Sequence, residues 1–426
     1  MAYAKEGEAG EVTVMRDIRG MLYADDICVV ADGEREMAET LEKVNRVAVE
    51  YGLGISEKKS VVVAINRDNG KRKWRMGEKE VMEVDRAKYL GARVEGGRNG
   101  GIKLMEDRVK DIGKTIGILK FAAGRSGNRF YVGREGWKGL VVGRLMYGAG
   151  AIGWRREERG KIEQMQKDFG RWLWRLGSSV RNMCIRGETG WSSFEEREMK
   201  AKLMYVDRVI NGGGRVAEVA RGVLMEVGHR AKWWKDVKKM VERLEMHGVV
   251  NLIWLRRMSP RGRRELSMEE ETTTKKIISE KVEKFGREEW AKGARENEEL
   301  LEYTEWKKKL VKEEYADGSD GARVRVMLRG GSLPVKNNRT VRWRWGEETR
   351  CVCGEVEEER HVLLECERLR EARGDLGEWW RREMGEEDFM KGVKGFVNMT
   401  KDQERELLER VGKVWRMYEK RERERV

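Results

Sequence analysis

Two neighbouring carboxylates, Asp25 and Asp26, stand between the short apolar runs Met21–Tyr23 and Ile27–Ala31. Extended runs around a polar pair predict a hairpin, whose strand pairing would fix the backbone of both aspartates near one point. Two-metal phosphoryl transfer needs carboxylates held in this way: two Mg2+ ions about 3.5–4 Å apart activate the attacking oxygen and stabilise the leaving one. Aspartate is also common in turns, where it hydrogen-bonds the local backbone, so the pair by itself does not specify metal chemistry.

A second constellation lies far along the chain. Cys351, Cys353, His361 and Cys366 follow the pattern C-x-C-x7-H-x4-C, which gathers three of the five cysteines and one of the three histidines. Three thiolates and an imidazole at such spacing match a tetrahedral structural zinc site, and Val362, Leu363 and Leu364 are placed to form a small core beneath it. The gap between Cys351 and Cys353 is tighter than the usual two to four residues. The other reading is an unmetallated turn and helix with reduced thiols. His229 and His247 have no cysteine nearby and are expected to be structural or exposed.

The elements that must position these groups are partly legible. Asp32 is a candidate cap for a helix whose apolar residues Met37, Leu41, Val44, Ala48 and Tyr51 recur at helical spacing, and Gly52 and Gly54 can end it. Val61–Ile65 reads as a strand, and Ala87–Gly91 opens another. From Ile102 the pattern turns helical, with Met105, Val109, Ile112, Ile116 and Leu119 on one face. Residues 256–320 are dominated by charge and include Ser259–Arg264, which predicts a polar helical or partly disordered connector, a solvated spacer. The expected class is α+β, in five stretches: 1–95, a helical 96–255, the connector 256–320, a basic and tryptophan-bearing segment with the cysteine cluster over 321–380, and a charged helix over 381–426.

The chain has 426 residues, room for two to four domains at roughly 100–200 residues each. Charged residues make up 39%, against about 25% in ordinary globular proteins, which argues against a compact, core-rich small-molecule enzyme. The net charge of +14 and pI near 9.4 point to a polyanionic partner such as nucleic acid, or simply to a basic protein in solution. No apolar run approaches the roughly 18 residues of a membrane span, and residues 1–20 lack the apolar centre of a secretory signal. An intracellular protein, in nucleus or cytoplasm, is expected. Two prolines beside 50 glycines fit a purine-biased coding strand, so abundant glycine and arginine are not themselves a functional signal.

Tyr23-Ala24-Asp25-Asp26 resembles the YADD box of reverse transcriptases. The likeness continues in order through the downstream helix, Gly52-Leu53, Lys59-Ser60 before a strand, and Lys88-Tyr89-Leu90-Gly91. Met146-Tyr147-Gly148 with Trp154, the helix around Ile162–Leu176 ending in Trp172–Gly177, and Glu188-Thr189-Gly190 resemble the region after the polymerase in non-long-terminal-repeat retrotransposons. The cysteine cluster is similar to the knuckle of those elements, where a basic stretch with an Arg-Gly step precedes it. Arg329-Gly330-Gly331, Arg339 and Arg342-Trp343-Arg344-Trp345 occupy that place. The likeness covers about the first 210 residues and resumes near Arg323.

The resemblance implies a partial palm, a thumb-like helical region and a zinc knuckle. It implies that Asp25 and Asp26 bind catalytic Mg2+ and that Tyr23 lies beside the primer end. Lys59 takes the place of a lysine near the incoming nucleotide or template, although a plain surface lysine before a strand fits equally. Arg329, Arg339, Arg342 and Arg344 would meet phosphates while Trp343 and Trp345 stack on unpaired bases, unless the tryptophans belong to a core. The partners implied are RNA and DNA, with no membrane. Such polymerases also need an upstream metal-binding aspartate, fingers and a Pro-Gln-Gly-like segment, whereas 22 residues precede Tyr23 and Asp17 is the sole aspartate among them. The expectation is a truncated polymerase that does not synthesise DNA alone unless another chain supplies the missing parts. The alternative is a non-catalytic nucleic-acid-binding protein that uses basic helices and the knuckle.

Overall fold

The computed structural model describes residues 3–6, 12–15, 20–65, 72–97, 101–103, 105–226, 232–246, 268–341, 343 and 345–424. Asp17, His229, His247, Arg342 and Arg344 lie outside the described residues. Helices and short strands are both present, as an α+β chain requires. The chain divides into two compact units, neither continuous in sequence: Met1–Asp111, Leu145–Glu158 and Glu198–Lys281 form one, and Ile112–Arg144, Arg159–Arg197 and Val282–Val426 the other.

In the first unit, β1 (Tyr3–Glu6) pairs antiparallel with β2 (Val12–Met15), and β3 (Gly20–Tyr23) with β4 (Asp26–Val29). Next comes α1 (Glu34–Glu50). Gly33 rather than Asp32 is its N-cap; the Asp32 amide instead donates to Glu36 Oε2 at 2.6 Å. Gly52, at φ 66°, supplies the left-handed residue that ends the helix. Leu41 and Ala48 are buried as their spacing predicts, but Tyr51 is exposed because the helix ends before its side chain can reach the core.

A three-stranded sheet receives that helix. β7 (Lys79–Glu83) lies between β5 (Val61–Val62), parallel to it, and β6 (Lys73–Met76), antiparallel to it. Alternation along the strands turns Val62, Trp74, Met76 and Val81 inward, where they pack with Leu41 and, more loosely, with Met37, Val44 and Ile55. The predicted strand Val61–Ile65 is shorter than expected: pairing stops at Val62, and Ile65 makes only an isolated bridge to Gly97. β8 (Arg86–Tyr89), β9 (Ala92–Glu95) and β10 (Gly101–Lys103) form an antiparallel meander.

α2 (Met105–Gly124) carries the predicted stripe, with Met105, Ile112 and Leu119 buried. Also in the first unit, the backbone at Gly150 is approached so closely by Ala201 and Tyr205 that a Cβ there would overlap them. Trp233, on the helix Lys232–Arg243, donates its indole N–H to the Gly150 carbonyl at 2.8 Å. No described helix is long and apolar enough to cross a membrane.

The second unit is built round aromatic rings. Trp137 stacks on Phe169 at 4.7 Å and on Trp191 at 5.4 Å, and its indole N–H donates to Gln166 Oε1 at 3.2 Å, so the ring is buried without orphaning its donor. Phe169 belongs to α3 (Arg156–Trp174), which is followed by α4 (Asn182–Thr189). Over its described residues, 268–320, which belong to the first unit up to Lys281 and to the second from Val282, the charged stretch is helical in part, as one of its two expectations had it, and is not wholly solvated. The helix Met268–Arg295 buries Ile278, Val282, Trp290 and Ala294, and Leu300, Tyr303 and Tyr315 are buried after it. Its few apolar residues fall on one helical face, and that face, not the overall charge, decides burial.

The helices Asp320–Arg329 and Lys401–Arg423 cross at two glycines. A Cβ on Gly321 would overlap the Leu408 carbonyl, and one on Gly412 would sit 2.8 Å from the Gly321 nitrogen. Leu407, Val411, Val414, Trp415 and Tyr418 bury the apolar face of the last helix. Thr400 and Gln403 close a capping box at its start.

Candidate metal sites

The β3–β4 hairpin places Tyr23 opposite Asp26, so the turn consists of Ala24 and Asp25. A two-residue connection needs a left-handed residue to match the twist of its strands, and Ala24 adopts φ 52°. For a residue with a Cβ that conformation costs about 1–2 kcal/mol. Both aspartates are exposed at the tip. The strands are exposed too, with Leu22 at 76% and Tyr23 at 65%. Among the described residues, no third ligating side chain joins the two aspartates in a metal-sized group.

Tyr89 is a neighbour of this hairpin that sequence reasoning did not assign to the site. Burial raises its phenol pKa, and the nearby Cys28 and Asp26 add to the rise. The signal was available in Lys88-Tyr89-Leu90-Gly91, where Leu90 (φ 45°) and Gly91 (φ 78°) make the turn after β8. Tyr147 donates its hydroxyl to the Leu90 carbonyl at 3.4 Å, and the Arg108 guanidinium lies 5.0 Å from the Tyr147 ring centre. Two motifs 57 residues apart are thereby joined. Lys59 is exposed at the end of the 3-10 turn Glu57–Lys59, and no ion pair links it to Asp25 or Asp26.

The cysteine cluster is assembled. Donor atoms of Cys351, Cys353, His361 and Cys366 all lie within 4.8 Å of one another. Cys351 Sγ is 3.7 Å from Cys366 Sγ, and Cys353 Sγ is 3.2 Å from His361 Nε2. Two thiolates on one tetrahedral zinc, each about 2.3 Å from it, stand about 3.8 Å apart, so the donor set fits that ion. The tight C-x-C spacing works because Gly354, at φ 96°, turns the chain back and lets the Cys351 amide donate to the Glu355 carbonyl at 2.8 Å. His361 begins a π-helical turn, His361–Glu365, and the Cys366 amide closes it on the His361 carbonyl at 2.7 Å. Val362 and Leu363 are fully buried, while Leu364 is half-exposed.

All five cysteines are free of disulfides. Burial pushes the Cys351 thiol up to about 12 and also raises Cys366. A metal entering this site therefore displaces protons. Outside the ligands, Tyr418 donates its hydroxyl to Glu357 Oε1 at 2.7 Å, and the Lys336 amide donates to the same oxygen at 3.0 Å, which anchors the loop between the cysteines and the histidine.

Of the residues expected to meet nucleic acid here, Arg339 is exposed, Trp343 is 70% exposed and Trp345 is half-buried. Arg329 corrects the sequence reading. It is buried, with Nη1 donating to Glu188 Oε1 at 2.9 Å and Glu313 Oε2 at 3.0 Å, and Nε donating to the Lys394 carbonyl at 2.6 Å. Buried and held by those partners, the guanidinium is closed to a phosphate arriving from solvent.

The hairpin also has a counterpart among known proteins. Residues 9–94 match the reverse transcriptase (RNA-dependent DNA polymerase) family. The reverse-transcriptase match therefore includes the YADD hairpin, α1, the sheet that receives it, and Tyr89. A comparison with curated proteins finds no match.

Proposed function

We propose that the chain carries the metal-binding hairpin and later palm segments of an RNA-templated DNA polymerase of non-long-terminal-repeat retrotransposon type, with a zinc knuckle. The observation that carries this reading is Tyr23-Ala24-Asp25-Asp26 at a hairpin tip inside the residues that match reverse transcriptases. Asp25 and Asp26 offer exposed, hard oxygen ligands suited to Mg2+, which keeps several positions for water and nucleotide phosphates. When bound, Mg2+ supplies charge stabilisation at the transferring phosphoryl group. Tyr23 flanks the carboxylates and would face the primer end, and Lys59 stands ready for template or nucleotide. Cys351, Cys353, His361 and Cys366 would hold a structural zinc, beside which Arg339 and Trp343 offer a cation and a ring to an unpaired strand.

The test is Mg2+-dependent extension of a DNA primer on an RNA template by the chain and by Asp25→Asn and Asp26→Asn. Extension that disappears in either variant, with primer-template binding retained, supports the assignment. Extension that survives both overturns it. The non-catalytic reading draws on the assembled cysteine cluster. It predicts binding without extension in all three proteins, with binding weakened by Cys366→Ser.

A further inference from the structure

The second unit holds a group of cations that the hairpin and the knuckle do not use. At the end of α2, Lys120 and Arg125 flank Phe121, which is 64% exposed. The Arg125 guanidinium lies 4.8 Å from the Phe121 ring centre, on one face of a ring that is otherwise largely open. Lys120 Nζ lies 5.7 Å from the ring of Trp172, and the Arg129 guanidinium covers that ring at 3.8 Å while donating to the Trp172 carbonyl. Two cations nine residues apart thus converge on one aromatic residue more than forty positions further along the chain.

The charge here is not neutralised from within. None of Lys120, Arg125 and Arg129 makes a salt bridge to a described residue, and Arg129 Nε is buried with no hydrogen-bond partner. Further cations adjoin them. Arg175, one step past α3, pairs with Asp320 at 2.8 Å, and its carbonyl accepts from Arg323 Nε at 3.0 Å, while Arg323 itself pairs with Glu419 at 2.9 Å. Burial lowers the Arg129 pKa, and Arg175 and Arg323 lower it further, which records like charges held together. Beyond Arg175 the patch gives way to a cleft of about 460 Å3 whose cations, Arg416, Lys420 and Arg423, are paired with Asp320, Glu424 and Glu419, so the un-neutralised charge is confined to Lys120, Arg125 and Arg129. Holding Lys120, Arg125 and Arg129 near one another with no carboxylate of the chain against them is unfavourable without a polyanion to neutralise them. An exposed ring with a cation on one face is what an unpaired base can stack against.

We propose that the surface formed by Lys120, Phe121, Arg125, Arg129 and Trp172 binds single-stranded nucleic acid, with the cations on successive phosphates and a base on the open face of Phe121. It goes beyond the polymerase and knuckle reading, since it needs neither Asp25 nor zinc. Arg129 and Trp172 position one another, whereas Lys120, Phe121 and Arg125 make the contacts.

The test uses the full, zinc-loaded chain and fluorescence anisotropy with labelled twelve-nucleotide oligo(rU), oligo(dT) and a duplex of the same length, across a salt series. Each single-strand phosphate contact contributes about 0.7 to the slope of log affinity against log salt. The double variant Lys120→Ala/Arg125→Ala should therefore flatten that slope by about 1.4. Phe121→Ala should weaken single-strand binding about tenfold and leave duplex binding unchanged, in line with the worth of one base–aromatic stack. The same losses should appear in a Cys366→Ser background, which separates this surface from the knuckle. Thermal melting of each variant reports whether it still folds; a variant that does not is replaced by Lys120→Gln/Arg125→Gln or Phe121→Leu. Comparing oligo(rU) with oligo(dT) shows whether the sugar matters. An unchanged salt slope in a folded double variant overturns the proposal, as does equal weakening of duplex and single strand by Phe121→Ala.

Discussion

Arg329 Nη1 donates to Glu188 Oε1 at 2.9 Å across 141 residues of sequence. The arginine belongs to an Arg-Gly-Gly step and the glutamate to a Glu-Thr-Gly motif, and both side chains are buried. Tyr315 also donates to Glu188, and Lys307 pairs with Glu313 at 2.6 Å, so each buried charge has its counter-charge. Burial opposes the Arg329 charge, and Tyr315, Glu188 and Glu313 more than offset that penalty. The pair is an internal tie between α4, which carries Glu188, and the helix Asp320–Arg329.

Removing one member of such a pair leaves the other charged, buried and alone. Arg329→Ala should destabilise the chain by about 3–5 kcal/mol, measured by equilibrium denaturant unfolding. The folded fraction should bind oligonucleotide as the wild type does. Selective loss of nucleic-acid affinity with unchanged stability would return Arg329 to the binding surface.

The zinc ligands make a compositional prediction. Purified chain should contain one zinc, by elemental analysis, and Cys366→Ser should lose it. The melting temperature should fall on chelation and recover on adding zinc, because the metal binds the folded arrangement far better than the unfolded one. Cys28→Ser, in the hairpin, should leave zinc content unchanged.

The close crossing of the last helix leaves no room at Gly321. Gly321→Ala should destabilise by about 1–3 kcal/mol despite alanine's better helix propensity, because the new Cβ overlaps the Leu408 carbonyl. Gly113, on α2, faces open space. Gly113→Ala should instead stabilise by about 1 kcal/mol, and denaturation midpoints for the two variants should move in opposite directions.

Glu163 gives a pH signature. Its carboxylate accepts from the amides of Phe194 and Glu195, yet burial raises its pKa above the ordinary 4.5, with Arg186 and Arg197 only partly opposing. A carboxyl whose folded pKa is raised contributes stability that is complete below the unfolded pKa and is lost as pH rises through the folded value. Glu163→Gln does not titrate. Its unfolding free energy relative to wild type should increase from about pH 4 towards neutrality and then level off. A difference that stays constant across that range would contradict the assignment.

Local pattern alone carried a good deal. An apolar run, a polar pair and another apolar run specify a hairpin because strand pairing is short-range, and α1 and α2 bury Leu41, Ala48, Met105, Ile112 and Leu119 from the faces their spacing selects. The cysteine and histidine spacing likewise placed four ligands within one short segment, where a turn at Gly354 and a π-helical turn suffice to bring them together. Sequence placed Asp25 and Asp26 together for the same reason.

Only the tertiary structure decided which charges face water. By sequence, Arg329 and Arg339 look alike; long-range packing buries the first against Glu188 and leaves the second exposed. The charged helix Met268–Arg295 buries one side because a few apolar residues share one helical face, a property that composition averages away. Tyr147 on the Leu90 turn, and Lys120 and Arg129 around Trp172, are contacts between separated segments, and Tyr89 feels the charge of Asp26 from another strand pair. Their existence depends on how the chain closes its long loops, which no local spacing encodes.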